Sequence, residues 1–220
     1  MQRAFIVGNG PSLSQTNLDL LIGEVSFACN RISLIYGETD WRPNYYIRSE
    51  GLELNNEPDP SLWQDDIHYH LDHPDIDVYC NAYFTKHLGT GAHGAKRLKL
   101  CTHYLKHYDD DECPYMWHLP FLCSYGSSVN VALQLAVQLG YGPLYLIGCD
   151  LGYRDGEPSH FTDEYESGYE DMLRPARYAN LDTLNAHIIA ARSCPVPIFN
   201  ATKGGDLEVY ERVNYERLFE

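Results

Sequence analysis

The chain reads as an α/β protein: a doubly wound, mostly parallel sheet with helices on both faces and an inserted, lid-like region. Three observations carry that reading. Ala4-Phe5-Ile6-Val7 is a short, fully apolar run that ends in Gly8-Asn9-Gly10-Pro11-Ser12. Such a run, bounded by glycine, is what a strand buried on both faces of a parallel sheet looks like. Ser127-Ser128 open a stretch with Val129, Val131, Ala132, Leu135, Ala136 and Leu139 at helical spacing, with Gly140 just past its end. Gly142-Pro143 then turns the chain into the apolar run Leu144–Ile147, and helix, short turn and apolar strand is the repeating unit of a doubly wound sheet.

Taken in order, the first strand is followed by a short helix around Leu18, Leu20 and Leu21. A second strand runs from Val25 to Cys29 and ends at Asn30-Arg31. Ile32 to Tyr36 is a short helix, Trp41-Arg42-Pro43 a loop, and Asn44 to Arg48 a third strand closing on Ser49-Glu50. Residues 51 to about 125 are expected to be an insertion or lid. Pro58 and Pro60 break it, Asp77 to Cys80 has strand character, Gly89 to Gly94 is a loop, and Leu98 to Tyr108 has helical spacing before the acidic run Asp109 to Glu112. The region 151–175 is a polar loop longer than ordinary connections, which marks it as functional. A helix over Leu181–Ala191, a last strand over Val196–Phe199 and a terminal helix around Tyr215–Phe219 complete the chain.

The 220 residues are enough for one domain with an elaborated insertion, and 44% hydrophobic residues with 18 tyrosines describe a folded chain. A formal charge of −15 argues against nucleic acid and anionic membrane as partners. Seven cysteines without a Cys-x-x-Cys pair fit a reducing compartment. With no leader-like start and no apolar run near the ~20 residues of a membrane helix, a cytoplasmic protein without membrane insertion is expected. A homo-oligomer is compatible with the sequence.

Four apolar runs end in polar residues or glycine: Gly8-Asn9-Gly10, Asn30-Arg31, Gly148-Cys149-Asp150 and Asn200-Ala201-Thr202. In a parallel sheet these ends share one edge, where ligands bind. Gly8 and Gly10 lack side chains, so their backbone N–H groups can face a ligand, and Ser12 can cap the next segment or donate to an anion. Neutral amides suit ribose and base edges; a helix N-terminus at Ser127 and Ser128 suits phosphate. The pattern is that of a nucleotide cleft. It is not the dinucleotide fingerprint, which would need glycine at Leu13, nor a P-loop.

The run Gly8-Asn9-Gly10-Pro11-Ser12-Leu13 with Cys29-Asn30-Arg31 resembles the start of the bacterial sialyltransferases of lipooligosaccharide synthesis. Gly126-Ser127-Ser128 through Leu139-Gly140-Tyr141, then Leu144 to Asp150, is similar to both those enzymes and the 6-hydroxymethylpterin pyrophosphokinase-like family. Asn200-Ala201-Thr202-Lys203-Gly204-Gly205-Asp206-Leu207-Glu208 with Arg212 resembles the second family more. The resemblance covers residues 3–35 and 125–215. It implies a Rossmann-like domain over 1–220 and a sugar donor activated as its cytidine monophosphate ester. It places Asn9, Gly10 and Ser12 near phosphate and ribose, Asn30 at the nucleotide, Ser127 and Ser128 near sugar or phosphate, and Asp150 beside the base. It also implies a tyrosine on the leaving phosphate, for which Tyr153 is the nearest match. The family's histidine base has no counterpart in Arg174-Pro175-Ala176-Arg177-Tyr178, and His160 is the nearest substitute.

His160 is therefore the candidate general base. Asp150 contacts a base, holds Mg²⁺ against phosphates, or caps the following loop. His187 has the spacing of a packed helix residue. His68, His70 and His73 lack a matching cysteine; if their run is a strand, His68 and His70 share a face. No metal site is expected. Three functions follow: a glycosyltransferase taking a nucleotide-sugar donor and a glycan acceptor, with no required cofactor; a Mg²⁺-dependent pyrophosphokinase acting on a small pterin-like alcohol; or a nucleotide-sugar binder without catalysis.

Overall fold

The computed structural model describes residues 1–49, 53–54, 57–58, 64–80, 96–97, 117, 122, 127–152, 154, 156–167 and 180–220. In chain order the strands are β1 (Ala4–Val7), β2 (Val25–Cys29), β3 (Tyr45–Arg48), β4 (Glu53–Leu54), β5 (Glu57–Pro58), β6 (Asp77–Cys80), β7 (Lys96–Arg97), β8 (Leu144–Ile147), β9 (Ile198–Asn200) and β10 (Glu211–Arg212). The helices are α1 (Gln64–Leu71), α2 (Ser128–Gln138) and α3 (Asn180–Ser193). Eight strands form one sheet in the order β10-β9-β8-β1-β2-β3-β6-β7, and each pairing in it is parallel. β4 and β5 make a separate antiparallel pair. This is an α/β Rossmann-like fold.

The apolar strands follow from burial on both faces. Side chains alternate along a strand. Ala4, Ile6, Phe27, Ile47, Leu144 and Leu146 pack beneath Val131, Ala132, Leu135 and Ala136 of α2 and Ala186 and Ala190 of α3. On the other face, Phe5, Val7, Ala28, Tyr46, Val78 and Ile147 meet Leu13, Leu18, Leu21, Ile32 and Ile35 and, from α1, Ile67.

Several local expectations shift. The short helices at Leu18–Leu21 and Ile32–Ile35 are single 3-10 turns, as is the terminal one at Glu216–Phe219. Ser127 precedes α2 as expected, yet its side chain makes no capping hydrogen bond. His68 and His70 lie on helix α1, not on a strand, so the face-sharing of a strand does not apply. Within the stretch expected to form an insertion or lid, α1 packs on the sheet and β6 and β7 extend it. The Gly89–Gly94 loop, the helix over Leu98–Tyr108, the acidic run and Tyr153 lie outside the described residues.

Candidate functional site

The carboxyl ends of β9, β8, β1, β2 and β3 stand side by side, so the four expected strand ends do meet on one edge. Chain order reverses between β8 and β1, which is where such sheets ordinarily open a ligand crevice. Here that position is filled by protein. Gly8 N–H donates to Ile147 O at 2.8 Å and Gly10 N–H to Gly148 O at 2.8 Å. A Cβ on Gly8 would lie 2.5 Å from Gly148 O, and one on Gly10 would overlap the Asp150 carboxylate. The two glycines therefore admit the β8 turn, and the expectation that their amides cradle an anion is corrected: those amides are already bonded.

Asp150 completes the plug. Its carboxylate accepts from Ser12 Oγ at 2.8 Å and from Ser12 N at 3.2 Å. Burial raises its pKa, and the hydrogen bonds from Ser12 oppose that rise. Asp206 N–H donates to Asp150 O at 2.7 Å, and Gly205, at φ +73°, lies against the same backbone. Asp150 and Ser12 thus satisfy each other across the reversal point.

A second group of polar side chains lies on the β2–β3 side. Asn30 has a left-handed backbone, φ +56°, which asparagine tolerates better than most residues. Its Oδ1 accepts from Arg48 Nη1 at 2.8 Å and from Ser128 Oγ at 3.2 Å. Ser49 and Ser128 share a hydroxyl bond of 2.7 Å, and Tyr46 OH donates to Asn30 O at 2.7 Å. Arg48, Ser49 and Ser128 are all buried. With its oxygen taken twice, Asn30 keeps its Nδ2 as a donor that makes no hydrogen bond among the described residues. Asn9 is arranged the other way: Nδ2 donates to Cys29 O at 3.0 Å, while Oδ1 is buried without a partner. Adjacent strand ends thus present one amide donor and one amide acceptor. Deeper, on α2, Asn130 is 0% exposed and neither amide atom has a partner.

The loop carrying His160 is tied to this edge. Phe161 N–H donates to Asn9 O at 3.1 Å. Arg31 Nη1 donates to Glu164 O at 2.7 Å and Tyr165 O at 2.6 Å. The His160 ring stacks on Tyr165 at 3.8 Å, and its Nδ1–H donates to Glu166 Oε1 at 3.0 Å. That bond leaves the neutral ring's lone pair on Nε2, the tautomer a general base needs. His160, Glu166, Pro158 and Thr162 line a cavity of about 310 Å³.

Two further histidines, His70 and His187, are structural. His70 donates from Nδ1 to Asp66 O, accepts from Tyr36 OH at Nε2 and stacks on Tyr46; burial lowers its pKa to about 4. His187 is buried beside Tyr210, also lowered to about 4 by burial. Among the described residues no three His, Cys, Asp or Glu side chains form a metal-ligand group. Tyr153 lies outside the described residues; Ser127 is part-exposed ahead of α2 and joins none of the bonds above.

Arg48, Ser49, Asn130 and Glu166 escaped the sequence reading. The signal for the first two was present: β3 ends in Arg48-Ser49 just as the other strands end in polar residues. Asn130 and Gln134 stand four apart inside a largely apolar helix, a weaker sign of a buried polar face. Glu166 is paired with His160 only through the turn between them.

No protein-family model matches the chain, and no curated protein matches it in sequence. Among solved structures it is similar to the MAf glycosyltransferase from Magnetospirillum magneticum AMB-1. The TM-score is 0.63 at 16% identity, over 98% of this chain and 34% of that one. At that identity the likeness shows the fold, and this chain spans about a third of the neighbour's length. No helix of the described residues is long and apolar enough to cross a membrane.

Proposed function

We propose that the chain is a sugar-transferring domain that binds a nucleotide-activated sugar at the carboxyl edge of β1–β3. The observation that carries this is the asparagine pair at adjacent strand ends: an unused amide donor on Asn30 and a buried, unpartnered amide acceptor on Asn9. A ribose hydroxyl or a pyrimidine edge, each holding donors and acceptors together, satisfies both. The fold shared with a protein named as a glycosyltransferase supports the same reading. The sequence resemblance adds the finer form: a cytidine monophosphate ester of a sialic-acid-like sugar, with a glycan hydroxyl as acceptor.

In this reaction His160 Nε2 takes the proton of the acceptor hydroxyl. The acceptor oxygen bonds to the anomeric carbon as the bond from that carbon to the phosphate oxygen breaks, and the nucleoside monophosphate leaves with the electron pair. Glu166 holds the ring in the required tautomer. Arg48, buried behind Asn30, and the N-terminus of α2 set a positive field at an edge of a strongly negative protein. Tyr153 is the proposed donor to the leaving phosphate. A pyrophosphokinase would need Asp150 to hold Mg²⁺, and a carboxylate accepting twice from Ser12 fits that poorly.

The test is release of cytidine monophosphate from cytidine-monophosphate-activated sialic acid, with a chelator present. Turnover is expected, falling at least ~100-fold in His160→Ala, the scale of a lost general base. Equal turnover in His160→Ala, or activity only with adenosine triphosphate and Mg²⁺, overturns the reading.

A further inference from the structure

Arg31 follows Asn30 at the end of β2, where a donor phosphate would make an arginine a natural ligand. Its contacts lead elsewhere. Nη1 bridges two successive carbonyls, Glu164 O at 2.7 Å and Tyr165 O at 2.6 Å, and the guanidinium lies 6.0 Å from the centre of the Tyr165 ring. Nε stands 3.9 Å from Asp66 Oδ2 on α1, and Asp66 is itself held by Ser33. Asp66 is buried, and Tyr165 is only 2% exposed. Arg31 thus joins three elements: the end of β2, helix α1 and the loop over the sheet edge. Tyr165 is the side of that loop against which His160 stacks, ring planes 7° apart.

We propose that Arg31 is a positioning residue: it anchors the 160–166 loop so that His160 stands over the strand edge, acting through Tyr165, and it is not a ligand of the donor. This rests on the reading of His160 as the base. The chemistry suits the task. Nη1 gives its two hydrogens to adjacent carbonyls while the charge of the same guanidinium lies near the buried Asp66 carboxylate. The left-handed backbone at Asn30 lets neighbouring residues split the work: Asn30 faces the ligand edge and Arg31 the loop. The link from Phe161 N–H to Asn9 O fixes the other end of the same segment, so donor and base sites are tied at two points.

The test compares wild type, Arg31→Ala and Arg31→Lys by hydrogen–deuterium exchange, calorimetric titration with cytidine monophosphate and turnover of the activated sialic acid. In Arg31→Ala the 160–166 amides are expected to exchange at least ~10-fold faster while β1, β2 and α2 are unchanged, as for local opening. The nucleotide Kd stays within about twofold, and kcat falls about 100-fold, the cost of a base displaced by about 1 Å. Arg31→Lys keeps the charge beside Asp66 and gives the same pattern at smaller amplitude, so a misfolded alanine variant does not end the test. Unchanged loop exchange overturns the anchor, as does a nucleotide Kd weakened tenfold or more, which would make Arg31 a donor ligand. Wild type that binds no nucleotide and is indifferent to His160→Ala sinks the functional reading instead, and the exchange result still decides the anchor.

Discussion

Gly10 has no room for a side chain, and the reason is Asp150. A methyl group there would overlap the carboxylate that Ser12 holds and would come within 2.9 Å of Gly148 O. Gly10→Ala is therefore expected to lower stability by about 2–3 kcal/mol or more, the scale of overpacking, measured by urea unfolding. Stability equal to wild type would show that the β8 turn yields easily. Two buried histidines fix the pH response. His70 and His187 titrate near 4 in the folded chain, against about 6.5 unfolded. Their folded values are depressed, so their contribution is complete above about pH 6.5 and declines as pH falls towards 4, each worth at most about 3 kcal/mol. Asp66 and Asp150, raised by burial, act in the opposite sense and favour the folded state as pH falls. The urea midpoint should drop between about pH 7 and pH 5, because the two histidines carry the large shifts and the unfolded chain takes up their protons there. A midpoint that rises would contradict this balance.

Helix α2 is where the site and the core share one element. Its Val131, Ala132, Leu135 and Ala136 bury against β1–β3, and the same register delivers Ser128 to Asn30 and Ser49. Ser128→Ala should cost about 1 kcal/mol in urea unfolding, since it leaves the buried Ser49 hydroxyl without that partner. No loss at all would mean that Ser49 finds another. The strands β1, β2 and β8 were legible because burial on both faces demands apolar runs, and α2 because its period and its closing glycine agree. Helix α1 was not: Gln64–Leu71 carries acids, histidines and a tyrosine, and its inward face is made by Ile67 with His70, whose ring nitrogens are satisfied by Tyr36 OH and Asp66 O. The two-residue strands β7 and β10 are too short for any period to mark. In the site, residue types pointed to Asn9 and Asn30, which the fold brings to adjacent strand ends. That the amides of Gly8 and Gly10 and the hydroxyl of Ser12 bond to the β8 turn was not legible, because spacing cannot show that one strand's turn will fill another's.

At the scale of the whole molecule, topology divides the carboxyl edge. On one side of the chain reversal, β8 and β9 deliver Gly148–Asp150 and Asn200–Thr202, whose polar groups bond one another and the β1 turn. On the other, β1, β2 and β3 deliver Asn9, Asn30 and Arg48 in succession, with the His160 loop tied to Asn9 and Arg31. The first side is closed by its own hydrogen bonds; the second still has an unused amide donor on Asn30 and a buried amide acceptor without a partner on Asn9. The most direct test is a calorimetric titration of cytidine monophosphate, without metal, into wild type and Asn30→Asp. That variant keeps oxygens for Arg48 and Ser128 but turns the unused donor into an acceptor. Binding by wild type, weakened at least ~100-fold in a variant whose melting temperature is unchanged, is the expected result. Equal binding by both proteins, or none by wild type, would contradict a nucleotide site at Asn30.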